Sequence, residues 1–319
     1  RRARLPLRGD GELCSVRQRR GAGQERCLPA DHLRQLCLPG DHHRRAAPEE
    51  LHRYDEGRLR NPDCRLRMTD QTTIDILLDV YAYHHSFTIA KTQPDFPPDK
   101  LFLLELLKER RELNVDFLFV NRAKIQRLEE KYGIVLICNP YEEELLANYI
   151  LDLETKVRND TIIDFVRSVS PILYRLFMRL LISQIPDLLD YIHDTKNDQY
   201  DTWKFDRMHQ SENSFVQQFV SQKRDSRLTS RSLVEFILLT DLSDEIKATV
   251  QSLRQFEKNV RNPLAHLIKA FDEEELYRTT GFSSQVFLEQ IINLARMTGV
   301  VYDVDTFYFD QVNAILKAN

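Results

Sequence analysis

The composition of this chain changes abruptly near Met68, and the change sets where a folded body can lie. Residues 1–67 hold sixteen Arg and no Lys, Ile, Phe or Trp, together with six of the nine glycines. Beyond Met68, Lys reappears and Ile, Phe and Tyr become common. Net charge turns from +6 before the seam to −10 after it, within a whole-chain value of −4. A segment so poor in large apolar side chains cannot bury enough surface to offset the entropy of ordering it. It shows no sustained period of 2 or 3.6 either. Two readings compete for it: a disordered basic tail, or a stretch read in a shifted frame ahead of a true frame that resumes near Met68-Thr69-Asp70. The Arg-rich, Lys-free mixture favours the second. His42-His43 and the Arg pairs of this stretch are therefore given no role, and the fold is sought from Met68 onward.

At 319 residues the chain has room for two domains. A pI near 6.2 excludes a broadly basic nucleic-acid coat but leaves room for a local basic cleft. The most apolar stretch, Ile172–Ile182, is interrupted by Arg175 and Arg179, so no transmembrane helix is expected. The Arg-rich start has no apolar core of the kind a secretory signal needs. Cys14, Cys27, Cys37, Cys64 and Cys138 match no zinc-binding spacing. They read as free thiols in a reducing cytoplasm.

From Met68 onward the spacing is helical almost throughout. Residues 72–91 set Ile74, Leu77, Leu78 and Tyr81 on one face. Asp99, after the Pro94, Pro97 and Pro98 break, suits the N-cap of a second helix that runs to the basic residues near Arg111. A further run reaches Tyr132, where Gly133 stops it. Ile134–Cys138 reads as a strand or a buried helical turn, and periodicity does not choose between them. Helical spacing resumes over Tyr141–Val157 and again from Thr161 to about Ile182, with Pro171 marking a kink or a fresh start. Asp194–Asp201 is polar and reads as a loop. Ser243 and Ser283 are good helix starts, Gly299 a helix stop, and Val300–Val304 a short β-like piece. The expected fold class is mainly α, with an irregular N-terminal segment and no large sheet.

One segment carries chemistry: Glu257-Lys258-Asn259-Val260-Arg261-Asn262-Pro263-Leu264-Ala265-His266. Pro263 falls inside a strongly periodic helix, removes a backbone donor and should kink it. Positions five apart on a straight helix point roughly 140° away from each other. A kink, or a two-fold dimer, would be needed to bring Arg261 and His266 to one site. Attack of a ribose 2′-hydroxyl on its neighbouring phosphate requires proton transfer and charge stabilisation. His266 can move the proton, Arg261 can hold the phosphate oxygens, and Asn262 can orient either. No metal is required by this scheme. The Arg–His spacing alone is weak, because about one such pair is expected by chance in a chain with this many Arg and His residues.

The segment resembles the ribonuclease motif of the HEPN superfamily, in which Arg is usually followed by a polar residue such as Asn and then, after a gap of four to six, by His. The chain from about Met68 to Asn319 is similar to the type III-A (Csm) CRISPR-associated ancillary ribonucleases, streptococcal-type members in particular. Tyr200-Asp201-Thr202-Trp203 and the helical stretch before Arg261 contribute to the likeness. The resemblance implies a helical linker domain over residues 68–158 and a HEPN domain over 159–319. It implies metal-independent, single-strand-preferring endoribonuclease activity in CRISPR antiviral defence, at a composite site in a homodimer, with Arg261, Asn262 and His266 as site residues. It also implies activation by cyclic oligoadenylate bound to an N-terminal CARF sensor. No βα-alternating sensor precedes Met68, so the chain is expected to lack that domain. The rivals are a HEPN toxin checked by an antitoxin and a non-enzymatic helical remnant.

Other features carry plainer readings. Lys223, Arg224, Arg227 and Arg231 form a basic cluster that reads first as a solvated helix surface and second as an RNA-guiding face. Adjacent His84-His85 do not share a helix face, which disfavours a metal site. Asp272–Glu275 reads as a helix start or solvated loop, and Trp203 and Phe205 as core aromatics rather than base-stacking platforms.

Overall fold

The structure is a computed structural model that describes residues 70–193, 201–264 and 270–318. Residues 1–67, with the tail or shifted frame expected there, and most of the 194–201 loop lie outside it. In the described residues the fold is mainly α, as the periodicity requires.

Helices α1 (Asp70–Asp79) and α2 (Tyr83–Lys91) are two elements where the periodicity predicts one continuous face. The break is at Tyr81, whose φ of 57° lies in the left-handed region. Its ring meets Phe307 edge to face at 5.4 Å, and its hydroxyl donates to Asp310 Oδ1 at 3.0 Å. Tertiary contacts therefore hold a conformation that local propensity disfavours. Helix α3 (Pro98–Arg111) opens on Pro98 rather than on an Asp99 cap. Proline at the first helical position has no amide to leave unsatisfied, and Asp99 instead sits in the first turn, paired with Lys131 at 2.5 Å. Helices α4 (Val115–Val120) and α5 (Arg122–Tyr132) follow, and Gly133 closes α5 in the left-handed conformation at φ 66°.

The run Ile134–Cys138 is neither strand nor helix. Glu129 Oε1 accepts the Leu136 and Ile137 amides at 2.6 and 3.1 Å, so a side chain takes the place of a strand partner. The expected β-like piece at Val300–Val304 is likewise irregular. The Asn139 side chain accepts the Val301 amide at 2.7 Å and donates to its carbonyl at 3.0 Å.

Helix α6 (Tyr141–Arg158) and helix α7 (Ile162–Gln184) form the centre of the body. Helix α7 runs unbroken through Pro171 and buries Phe165, Val169, Leu173, Leu176, Phe177 and Leu181. Packing on both sides of Pro171 outweighs the one backbone bond it removes. A short antiparallel ladder joins β1 (Ile192–His193) to β2 (Thr202–Trp203). Then come α8 (Phe205–Met208), α9 (Ser214–Gln222) and α10 (Ser230–Ile237), the last begun by a reciprocal Thr229–Ser232 cap. Helix α11 (Asp244–Phe256) starts at the expected Ser243 cap and continues as a π turn, Glu257–Arg261, into the single turn α12 (Asn262–Leu264). Helices α13 (Glu273–Thr280), α14 (Ser284–Met297) and α15 (Tyr308–Lys317) complete the body. Asp272 caps α13, which bears out the helix start expected of the acidic run, and Ser283 caps α14.

Helix α7 packs against α6, α10, α14 and the π turn. Helix α15 returns to α1 and α3, where Asn313 accepts the Tyr83 hydroxyl at 3.1 Å and donates to the Leu78 carbonyl at 2.9 Å. No described helix is long and apolar enough to cross a membrane.

Candidate functional site

The residues singled out for chemistry sit where α11 loses its α geometry. Helix α11 presents Val250, Leu253 and Phe256 to the interior. Phe256 stacks on Phe287 of α14 at 3.9 Å and approaches Phe165 of α7 at 6.4 Å. The stem below the site is thus clamped on two sides. One residue later the chain widens, and the amide of Asn262 donates to the carbonyl of Glu257, five positions back. Proline at 263 disturbs the helix here. Its ring would collide with the carbonyl four residues earlier and it offers no amide in return. Widening the turn relieves the collision, and π turns of this kind recur at functional sites.

Glu257 anchors the wide turn. It is 5% exposed, an acid on the apolar face that also carries Val250, Leu253 and Val260. Its Oε1 accepts from Ser170 Oγ of α7 at 2.7 Å and from Ser230 Oγ of α10 at 3.3 Å, while Oε2 pairs with Arg254 at 2.8 Å. Three helices therefore converge on one carboxylate, as burial of a charge demands. Val260 and Leu264 point into the core, and Arg167 of α7 donates to the Leu264 carbonyl at 3.5 Å.

Arg261 and Asn262 are brought together on this turn, both half-buried. Arg261 Nη1 lies 3.5 Å from Asn262 Oδ1, the outer limit of a hydrogen bond. Arg261 Nε is buried and has no hydrogen-bond partner among the described residues. One guanidinium nitrogen is thus left unpaired by the fold, on a side chain whose planar fork is of the kind that suits a phosphate. His266, the third expected site residue, lies outside the described residues. Sequence reasoning did not single out Glu257, Ser170 or Ser230. The signal for Glu257 was present, because an acid repeated at core spacing on an amphipathic helix needs a partner. Nothing local marked the two serines.

The remaining candidates resolve plainly. Trp203 is core, packed edge to face on Phe219 and Phe236 at 5.3 and 5.8 Å, with its indole N–H on Ser232 at 3.3 Å. Phe205 packs half-buried against the same core. His84 pairs with Glu112 at 3.4 Å and meets the His85 ring at 5.8 Å. Cys138 is a free thiol, and the other four cysteines lie outside the described residues.

Comparison with known proteins places this arrangement. The family model described as the Cas_Csm6 HEPN domain matches residues 136–317, more than half of the chain. Among solved structures, the fold is similar to that of Enterococcus italicus Csm6 bound to cyclic hexa-2′-fluoro-hexa-dAMP, with a TM-score of 0.57 and 15% identity. The similarity covers 78% of this chain and 56% of that one, so the chain spans little more than half the length of that relative. At such identity the likeness speaks for the fold alone. No curated protein matches the sequence.

Proposed function

This chain belongs to the Csm6 HEPN family, and from that membership we propose that it is a metal-independent endoribonuclease acting on single-stranded RNA in CRISPR antiviral defence. The observation that carries the reading is Arg261. It stands on a π turn fixed by a buried carboxylate and keeps a buried guanidinium donor without a partner among the described residues. A side chain held in place with donors unspent suits a group whose charge develops during reaction.

In the proposed reaction a ribose 2′-hydroxyl attacks the adjacent phosphorus and the bond to the 5′-oxygen breaks. The products are a 2′,3′-cyclic phosphate and a 5′-hydroxyl, so water is not consumed. His266 accepts the 2′-hydroxyl proton or delivers one to the leaving oxygen. Arg261 balances the charge that gathers on the non-bridging oxygens, and Asn262 orients the guanidinium through its side-chain oxygen. Two copies of the chain would bring two such constellations together, consistent with a homodimeric composite site. The relative from Enterococcus italicus is described with a cyclic hexa-adenylate analogue bound. A cyclic oligoadenylate is the activator that membership implies, and equal cleavage with and without it is what a chain lacking the CARF sensor would show.

The test is cleavage of labelled single-stranded RNA in EDTA, with and without cyclic hexa-adenylate. The wild-type chain should cut, and His266→Ala should lower the rate by about 10²–10⁴-fold while folding normally. Full activity in purified His266→Ala would refute the assignment. Cleavage that depends on an added divalent ion would refute the metal-independent scheme.

A further inference from the structure

The basic residues that follow α9 gather into a cleft. Lys223, Arg224, Arg227 and Arg231 line a cavity of about 490 Å³ between the end of α9 and the start of α10, with Asp225 and Glu235 as its acids. Four cations face two carboxylates there, in a body whose net charge from Met68 onward is −10. The loop that carries them is fixed by the sheet. The Trp203 amide donates to the Ser226 carbonyl at 2.7 Å, and the Leu228 amide to the Asp201 carbonyl at 2.8 Å.

The cations of the cleft differ in how firmly they are held, and Arg224 and Arg231 are the most exposed to a ligand. Arg231 pairs with Glu235 at 2.7 Å and Arg227 with Asp225 at 2.8 Å, yet the two arginine side chains are 73% and 64% exposed. Exposed pairs of this kind exchange partners at little cost. Lys223 also reaches Glu235. Arg224 is exposed and has no hydrogen bond or ion pair among the described residues. The aromatic ring on the wall, Phe219, is stacked on Phe236 at 4.2 Å inside the core and offers no platform for a base. The cleft therefore suits phosphate oxygens rather than bases.

One hydrogen bond links the element that walls the cleft to the stem of the motif. Ser230, next to Thr229 on the cleft wall, donates to Glu257, and Glu257 precedes Arg261 by four residues.

We propose that this cleft grips the phosphate backbone of single-stranded RNA and leads the strand to Arg261 without reading its sequence. The proposal deepens the ribonuclease reading and rests on it for the identity of the strand. Asp225 works against binding. Arg227 holds its carboxyl down to about 2, so it stays charged at any pH where RNA would bind.

The experiment uses the full chain carrying His266→Ala, a fluorescein-labelled mixed-sequence 20-mer RNA, and anisotropy titrations between 50 and 200 mM salt. Adding Arg224→Ala and Arg231→Ala should weaken binding about 10-fold. The salt slope should fall by about 1.4, from roughly 0.7 for each single-strand phosphate that is no longer neutralised. Asp225→Asn should tighten binding several-fold. Unchanged affinity and slope in the double variant would overturn the proposal, as would displacement of the RNA by poly-glutamate at equal charge concentration.

A cleavage arm, with His266 intact, separates this proposal from the reading beneath it. The double variant should cut a dinucleotide as the wild type does, and show a raised KM for the 20-mer alone. Wild-type protein that cuts neither substrate would defeat the ribonuclease reading, while the titrations would still decide the cleft. Equal KM for the 20-mer in both proteins would defeat the cleft alone.

Discussion

Two arginines in this molecule stand in opposite surroundings. Arg110, on α3, is 2% exposed, and every part of its guanidinium is engaged. Its Nε donates to the Tyr308 hydroxyl at 3.1 Å and Nη1 to Asn148 at 3.0 Å, while Nη2 serves Glu144 at 2.6 Å and the Leu136 carbonyl. The Tyr308 ring covers its face at 4.5 Å. Arg261 stands on a π turn, touches Asn262 at the limit of hydrogen bonding and leaves Nε without a partner among the described residues. Arg110 gathers the irregular 134–139 segment, α6 and α15 around one charge. Arg261 stands on the turn that Glu257 anchors through Ser170, Ser230 and Arg254, and its Nε has no partner among the described residues. A saturated guanidinium serves the fold, whereas the proposed role of Arg261 draws on a donor the fold has not used.

The contrast can be broken by exchanging the roles. Arg261→Ala should lower RNA cleavage by about 10²–10³-fold, the loss typical of one charge-stabilising donor, with a Tm close to wild type. A Tm fall as large as that of an Arg110 variant would place Arg261 among the fold-bearing residues. Arg110→Met should do the reverse. Removing one partner of a buried pair costs about 3–5 kcal/mol, or a Tm drop of about 10 °C in a body of this size. Cleavage per folded molecule should remain near wild type, and calorimetry with activity at matched folded fraction would check both halves.

Glu257→Gln tests the link between anchor and fork. It keeps the size of the side chain and removes the charge facing Arg254, at about 1.5–3 kcal/mol for hydrogen bonds to a charged group. Cleavage should fall about 10-fold, with part recovered by pairing it with Arg254→Met. Cleavage unchanged while stability falls would make the clasp purely structural.

The smallest effect is alkaline. Burial pushes the Tyr308 hydroxyl up to about 12, against the pull of Arg110, and burial with Asp310 does the same to Tyr81. An unfolded tyrosine ionises near 10, so the folded state holds its proton more tightly. The stability from both groups is complete below pH 10 and is lost as pH rises from about 10 to 12. Thermal melts from pH 8 to 11.5 should be level and then decline, and Tyr81→Phe should make the decline shallower. A decline that begins below pH 9 would assign alkaline sensitivity to other groups.

Much of this protein was legible in one dimension. Helical spacing gave most of the elements, because a period of 3.6 records which face each helix buries. Ser243 and Ser283 declared the starts of their helices, because a cap acts over three residues, and the acidic run at Asp272, open between a helix start and a loop, proved to be a start. The order Arg261, Asn262, then His266 was a local pattern, and the family match over residues 136–317 agrees with the superfamily it suggested. What was not legible depends on partners far apart in the chain. The runs at Ile134–Cys138 and Val300–Val304 had strand-like content, but the side chains of Glu129 and Asn139 took their backbone groups. Pro263 announced a disturbance in the helix. That the disturbance is a π turn, fixed by serines 87 and 27 residues away from Glu257, was decided by the packing of α7 and α10. The basic cluster reads as a solvated face until the end of α9 and α10 gather it into a cleft. Composition and periodicity are sums over neighbours, so the sequence by itself determined the elements and the residues able to do chemistry. Only the tertiary structure decided which donors are spent and which remain free, because a buried charge is satisfied by whatever the fold brings against it.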